Sequence, residues 1–443
     1  MAVIRVSLRK YQSRLSQHEL NCNVPISEEY VTGISVDSSM HHQNTVGRED
    51  LSMNSTDVKA KPAPAGNIRW MIMVAIFIAF VIAYFDRTNI NLLVADKAFT
   101  DALGITGDLT RQGMLISGFL LCYGIFNFFV GPIVDRFGQR KIWIGAVFVW
   151  AGVMLVGGLT SSFILLLGTR VLLGIGESVN TPATNKTIKN FFPLHERGRA
   201  NSIWLTATVG APIIAVPIVA WLIAQFGWRG SFFALAGIGL LPLILMALYL
   251  YNHPREHPRL SKEEAAYIEA YNASEEAQEE QTGKMDWSFL RSRLFWLATI
   301  GNAMVTVCLF GITSWMPKYL VETLGFSWAE MGFLATLPNV AAVAGAWIAG
   351  IAADRMKTKA PLTIYSCILG GLAIWLAVTF KNPWAAAFMI SVATGVAYIA
   401  VPIWYVLLQK SVNPGAMATG AGFYNGTCYV LSSIAPVVLG WAA

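Results

Sequence analysis

The chain has 443 residues, of which 55% are hydrophobic and 13% charged, against about 25% charged in soluble domains. Together with a mean hydropathy of +0.52 this excludes an ordinary water-soluble domain and describes a polytopic, all-helical membrane protein. The net charge of +6 comes from Lys and Arg in short loops between apolar runs, with no basic tract interleaved with aromatics, so nucleic acid is excluded as a partner.

Residues 1–65 are polar and lack the hydrophobic centre of a signal peptide, so a disordered cytoplasmic arm is expected there, with Met40 and Met53 offering later starts. Apolar runs near the twenty residues needed to cross about 30 Å of hydrocarbon then recur, at 70–95, 112–134, 142–160, 163–181, 200–225 and 231–251. They predict a six-helix bundle over 66–251.

In the first run, "AYFDRTNINLL" sets Asp86 beside Arg87 after sixteen apolar residues. Neighbours on a helix point about 100° apart, so the two cannot neutralise each other. Tyr84, Arg87 and Asn91 share one face by i+3 and i+4 spacing, and Asp86 and Asn89 share another. Either the helix ends near Phe85 and the charges meet the headgroups, or it continues through Leu92, Leu93 and Val94 and the charges are internal.

After the second run comes "GPIVDRFGQRK", holding Gly131, Asp135, Arg136, Gly138 and Arg140. The fourth run, "FILLLGTRVLLGIGESVNTPA", places Arg170 and Glu177 on one face of an apolar helix, about 10 Å apart along its axis. Each such charge costs roughly 2.5 to 3.5 kcal/mol at a membrane centre, which makes both functional candidates.

The charged segment 252–291 is expected to be a solvated cytoplasmic linker, with Ser261 followed by Glu263 and Glu264 as a helix start. Five more runs follow, at 293–317, 328–353, 361–380, 383–408 and 415–441, giving an incomplete second bundle over 292–443. In it "GIAADRMKTK" repeats the earlier loop, with Asp354 and Arg355 in the same order, the mark of an internally duplicated bundle. The loops on the side of the N-terminus carry 11 Lys and Arg against 5 on the other, which predicts a cytoplasmic N-terminus.

The five cysteines are far apart and all six histidines fall outside the apolar runs, so no metal centre is expected. No G-x-x-x-x-G-K-[ST], H-E-x-x-H or G-x-S-x-G arrangement occurs, and the chain is not expected to be an enzyme.

The first of these two loops, "GPIVDRFGQRK", resembles the signature of the major facilitator superfamily, G-x-x-x-D-R-x-G-x-[RK]-[RK], at every fixed position. The resemblance implies two six-helix bundles, eleven of whose twelve helices are visible here. It also implies that Gly131, Asp135, Arg136, Gly138, Arg140, Asp354 and Arg355 belong to a gate that clamps the halves in one conformation. "FDRTNIN", "RVLLGIGES", "NFFPLHERGRA", "FGWRGSFF", "HPRLSKEEAAYI" and "SWMPKYL" narrow the likeness to the anion:cation symporter branch, which includes bacterial galactonate, glucarate and hexuronate permeases.

What that branch implies is a proton-coupled importer of an organic anion, most nearly a sugar acid, acting as a monomer in a bacterial inner membrane with protons as its coupling ion and no cofactor. Asp86 and Glu177 would carry protons, Arg87 would hold the substrate carboxylate, and Arg170 would pair with ionised Glu177. Tyr84, Tyr123, Asn425 and Trp404 match substrate contacts. The chemistry agrees, because a guanidinium forks onto a carboxylate and a carboxylate shielded from water can titrate near neutrality. Other carboxylates such as tartrate or a dicarboxylate stay open as substrates. So does an organophosphate exchanger of the same fold, although the seventh run, "LATIGNAMVTVCLFGITSWM", offers no cation for a phosphate dianion.

Overall fold

The computed structural model describes residues 68–270, 272, 287–355, 360–380, 382–412 and 417–442. The expected N-terminal arm lies outside the described residues, as does most of the second half of the linker.

The first half is built of α1 (Ile68–Leu93), α2 (Leu109–Asn127), α3 (Gln139–Leu159), α4 (Phe163–Glu177, resuming after a break as Asn180–Phe191), α5 (Leu194–Ile238) and α6 (Leu240–Tyr249). The second half holds α7 (Arg293–Lys318), α8 (Leu337–Arg355, led in by Trp328–Leu334), α9 (Ala360–Thr379), α10 (Pro383–Tyr398, continued by Ala400–Ser411) and α11 (Met417–Ser432, continued by Ile434–Ala442). Among the described residues no strand occurs.

Among the described residues eight stretches are long and apolar enough to cross a bilayer, and one of them, His195–Tyr249, has 55 residues and folds in two at Gly227. Gly227 takes φ +67°, ψ 177°, a conformation that glycine tolerates and other residues do not, and this lets "FGWRG" turn the chain within α5, whose part beyond the turn leads on into α6. Helix starts follow side-chain caps, with Asp108 accepting from the Arg111 amide, Ser162 from Leu165 and Ser292 from Phe295. Lipid is as apolar as the helices themselves, so such bundles cohere through close packing and buried polar contacts rather than by hydrophobic exclusion.

Of the two courses open to the first helix, α1 takes the longer. It runs eight residues past Phe85, to Leu93, so Asp86 and Arg87 lie within the helix.

The halves meet along α2 and α11 and along α5 and the Trp328–Arg355 helices. At the end that carries Lys318 they are drawn together. Lys318 Nζ donates to the Val94 carbonyl at the end of α1 (3.1 Å). Met316, Leu320, Phe326, Met331 and Leu334 are buried in one apolar cluster with first-half residues such as Leu92 and Leu93.

The linker departs from the expected solvated segment. Glu264 is buried and accepts from Arg69 Nη1 at the start of α1 (3.0 Å), while Arg69 Nη2 donates to Glu196 at the start of α5 (3.0 Å). Ile268 is fully buried beside them, and Arg197 donates to Asn272. One guanidinium shared between two carboxylates holds the first part of the linker onto the first half, which a charged sequence alone could not disclose. Burial pushes the Glu264 carboxyl above its usual range, opposed by Arg69.

Candidate functional site

Apart from the Arg69 cluster at the linker, the first half withdraws further charged side chains almost wholly from solvent: Asp86 at 2%, Arg170 at 1% and Glu177 at 0% exposure. Arg87 joins them with 14% of its side chain exposed. What brings them together begins with glycines in "LLGIGES". A Cβ at Gly174 would stand 2.5 Å from the Phe119 carbonyl oxygen, and one at Gly176 would stand 2.8 Å from the Trp150 indole nitrogen, so α4 can press against α2 and α3 only where these positions are bare. That approach carries Glu177, the last residue before the break in α4, into the layer of α1.

There Arg87 Nε donates to Glu177 Oε2 at 2.6 Å. The guanidinium also lies over three rings, Tyr84 at 4.9 Å, Phe119 at 5.0 Å and Tyr123 at 4.8 Å. These contacts favour a cation, and cation–π attraction grows when water is excluded. The bond to Glu177 engages Nε and not the Nη1/Nη2 pair, whose fork suits a planar carboxylate.

The other face of α1 turns into the bundle. Asn89 is fully buried and its Oδ1 accepts from Ser231 Oγ (2.9 Å), beyond the Gly227 turn. Asp86 is housed separately from Arg87, beside Arg170. Arg170, expected from the resemblance to pair with Glu177, instead makes its hydrogen bonds to the Asp86 carbonyl oxygen (3.5 Å) and to Met154 Sδ (3.4 Å), with its guanidinium over Phe232. The reason is axial: two residues seven apart on one helix are about 10 Å apart in rise, whereas Arg87 crosses to Glu177 from another helix.

In the second half, Asn425 Oδ1 accepts from the Tyr405 hydroxyl (3.0 Å). The Trp404 indole packs on Gly301 of α7, and Asn302 donates to Cys428 Sγ (3.4 Å). Tyr429, absent from the expected set, stands one turn beyond Asn425 on α11 and meets the Tyr123 ring with centroids 4.5 Å apart. Its only sequence signal is the i, i+4 spacing from Asn425, which puts both on one face.

At the end away from Lys318, Asp135 Oδ1 pairs with Lys186 Nζ (3.2 Å) and Arg136 lies over its neighbour Phe137. Gly138 takes φ +82°, and Arg140 binds Asn252 Oδ1 through its amide (3.1 Å) and the Ala247 carbonyl through Nη2 (2.9 Å). Apart from Asn252, at the start of the linker, these partners belong to the first half. Gly131 has open space about it, and the side chains of Asp354 and Arg355 lie outside the described residues. Among the described residues no three His, Cys, Asp or Glu side chains gather as a metal site.

Residues 76–436 match the model of the Major Facilitator Superfamily. The chain is 27% identical over 405 residues to the "Probable galactarate/D-glucarate transporter GudP" of Bacillus subtilis, covering 86% of this chain and 88% of that one. It is 28% identical over 393 residues to the D-galactonate transporter of Escherichia coli, covering 86% of each. Among solved structures it resembles a bacterial homologue of the human lysosomal transporter Spinster in an inward-facing conformation, with a TM-score of 0.69 at 21% identity, covering 84% of this chain and 82% of that one.

Proposed function

The chain belongs to the major facilitator superfamily and is an integral membrane transporter, and from that premise we propose that it imports an organic anion of the sugar-acid class together with protons. The observation that carries the reading is the Arg87–Glu177 ion pair at 2.6 Å. The cation suited to a substrate carboxylate is held by a buried carboxylate of the protein itself.

Competition for that one arginine couples the two ligands. An incoming carboxylate that forks onto Arg87 displaces Glu177, and a bare, fully buried carboxylate is costly unless it takes a proton. Conversely, protonated Glu177 releases Arg87 for the anion. Charge counting agrees. Asp86 and Glu177 balance Arg87 and Arg170, so one added substrate charge is restored to balance by one proton. Asp86, shielded beside Arg170, is the second proton carrier in this reading.

Alternating access then requires only that substrate and proton favour the same arrangement of the two halves. With the N-terminus cytoplasmic, as the loop charges imply, the Lys318 end faces outward and is the closed one, and Arg87 is reached from the cytoplasm. The protein works in this reading as a monomer of the bacterial inner membrane, with the proton as coupling ion and no cofactor. The likeness to galactarate, glucarate and galactonate transporters supports the sugar-acid class.

Proteoliposomes loaded with the purified protein test this with a panel of labelled sugar acids, with and without an inwardly directed proton gradient. Uptake of at least one of them, accelerated by the gradient and accompanied by alkalinisation outside, is expected. Uptake indifferent to the gradient overturns the coupling.

A further inference from the structure

We infer that Tyr429, contributed by the second half, is a substrate-binding residue that donates its hydroxyl to the carboxylate held on Arg87 and so clamps an α-hydroxy acid between the two halves. The inference rests on the proposed role of Arg87 and deepens it.

The geometry starts from the backbones of α2 and α11, which touch on either side of the two tyrosines. A Cβ at Gly124 would stand 2.7 Å from the Val430 nitrogen, and one at Gly426 would stand 2.9 Å from the Gly124 carbonyl oxygen. Tyr123 and Tyr429, each next to or near one of these contacts, therefore have no room to part, and their rings meet at 4.5 Å with an interplanar angle of 53°. On its other side Tyr429 meets Phe310 of α7 at 5.5 Å. Arg87 lies over Tyr123 at 4.8 Å, so an unbroken row, Arg87, Tyr123, Tyr429 and Phe310, crosses the boundary between the halves. Tyr429 is only partly buried, and its hydroxyl lies within interaction range of the Arg87 guanidinium.

Chemistry then selects the ligand. A carboxylate has about four lone-pair positions, and one guanidinium fork satisfies two of them. A neutral phenol beside the fork supplies a further donor without adding charge, and it also accepts from a hydroxyl on the carbon next to the carboxylate. Because the two donors come from different halves, the bound anion favours the arrangement in which the halves close on it. A ligand shifts such an equilibrium only by binding one state better than the other, and a second-half donor provides that difference.

The test is Tyr429→Phe in proteoliposomes, which keeps the ring and its packing but removes the hydroxyl. For D-galactonate, KM is expected to rise on the order of tenfold, with a fall in turnover. For the 2-deoxy analogue, which keeps the carboxylate but lacks the neighbouring hydroxyl, KM is expected to rise by less than for D-galactonate, so that the two substrates come closer together in the variant. A parallel fall for both substrates with unchanged KM means the ring only packs, and overturns the inference. Substrate-induced thermal stabilisation in detergent gives a second reading of affinity that needs no transport. If Arg87→Ala abolishes stabilisation by D-galactonate while Tyr429→Phe leaves it unchanged, Tyr429 is not a ligand although the reading of Arg87 stands. If neither substitution alters it, the reading of Arg87 falls as well.

Discussion

Glu177 gives its carboxylate to Arg87, one helix away, and not to Arg170, which shares its own helix two turns earlier. A buried pair of this kind is poor evidence of a stability role, since the desolvation of two charges roughly cancels their attraction. It is well suited to exchange, because breaking it costs little once a third charge or a proton arrives.

Glu177→Gln removes the competitor for Arg87 without removing the anion site. Binding of D-galactonate in detergent is expected to persist or tighten at neutral pH, while acceleration of uptake by a proton gradient is lost. Arg87→Ala is expected to lower affinity by two orders of magnitude or so, as a charge-assisted fork disappears. Gradient-driven accumulation by Glu177→Gln at the wild-type level would contradict the exchange.

Arg170 contributes differently. It is 1% exposed, bonded to the Asp86 carbonyl and to Met154 Sδ, and nothing about it is open to a ligand. Arg170→Met keeps the volume but leaves Asp86 and Glu177 with one cation between them. A loss of about 3 kcal/mol in stability is expected if Asp86 stays ionised, seen as a lower melting temperature in detergent. Rescue of that loss by the double change Asp86→Asn, Arg170→Met would tie the effect to the buried charge, whereas an unaltered melting temperature in the single variant would exclude it.

Much of the fold was legible in the chain. The apolar runs located the helices, the repeated Asp-Arg loop announced the duplication, and i+3/i+4 spacing separated Arg87 from Asp86 correctly. What periodicity could not supply was which helix each face meets. The partner of Glu177 depends on how α1 and α4 are rotated and how closely Gly174 lets α4 approach α2, and neither is a local property. Tyr429 was passed over because a single tyrosine in an apolar run looks like packing. The linker was misjudged because its charges suit water equally well until Arg69, almost two hundred residues earlier, is set beside Glu264.

Lys318 ties the closed end by donating to the Val94 carbonyl while also pairing with Glu322. The acceptor is a carbonyl at the end of α1, where the helix dipole adds to the attraction for a cation. Lys318→Met is expected to move the conformational equilibrium toward opening at that end by about tenfold, the value of one charge-assisted hydrogen bond. A cysteine introduced at Leu92 in a cysteine-free background would report this as faster labelling by a membrane-impermeant maleimide. Equal labelling rates with and without the Lys318→Met substitution would show that the apolar cluster alone holds the end shut.

The Arg69 site carries a pH dependence whose sign can be worked out. Burial raises the Glu264 carboxyl above its ordinary value of 4.5, with Arg69 opposing and Glu196 reinforcing the rise. The folded chain therefore keeps that proton at pH values where the unfolded chain has lost it. By linkage, the contribution of Glu264 to stability is fully present below 4.5 and declines as pH rises through the folded value. Melting temperatures in detergent, taken in steps from about pH 4.5 to 8, are expected to fall more steeply for the wild type than for Glu264→Gln, which has no proton to lose. Arg69→Ala should be worse than either at neutral pH, since it leaves Glu196 and Glu264 facing one another without a cation, and lowering the pH should restore part of its loss. Parallel pH profiles for the wild type and Glu264→Gln would mean that the carboxyl titrates alike in the folded and unfolded chains, and that the docked linker is held by Ile268 and its apolar neighbours rather than by charge.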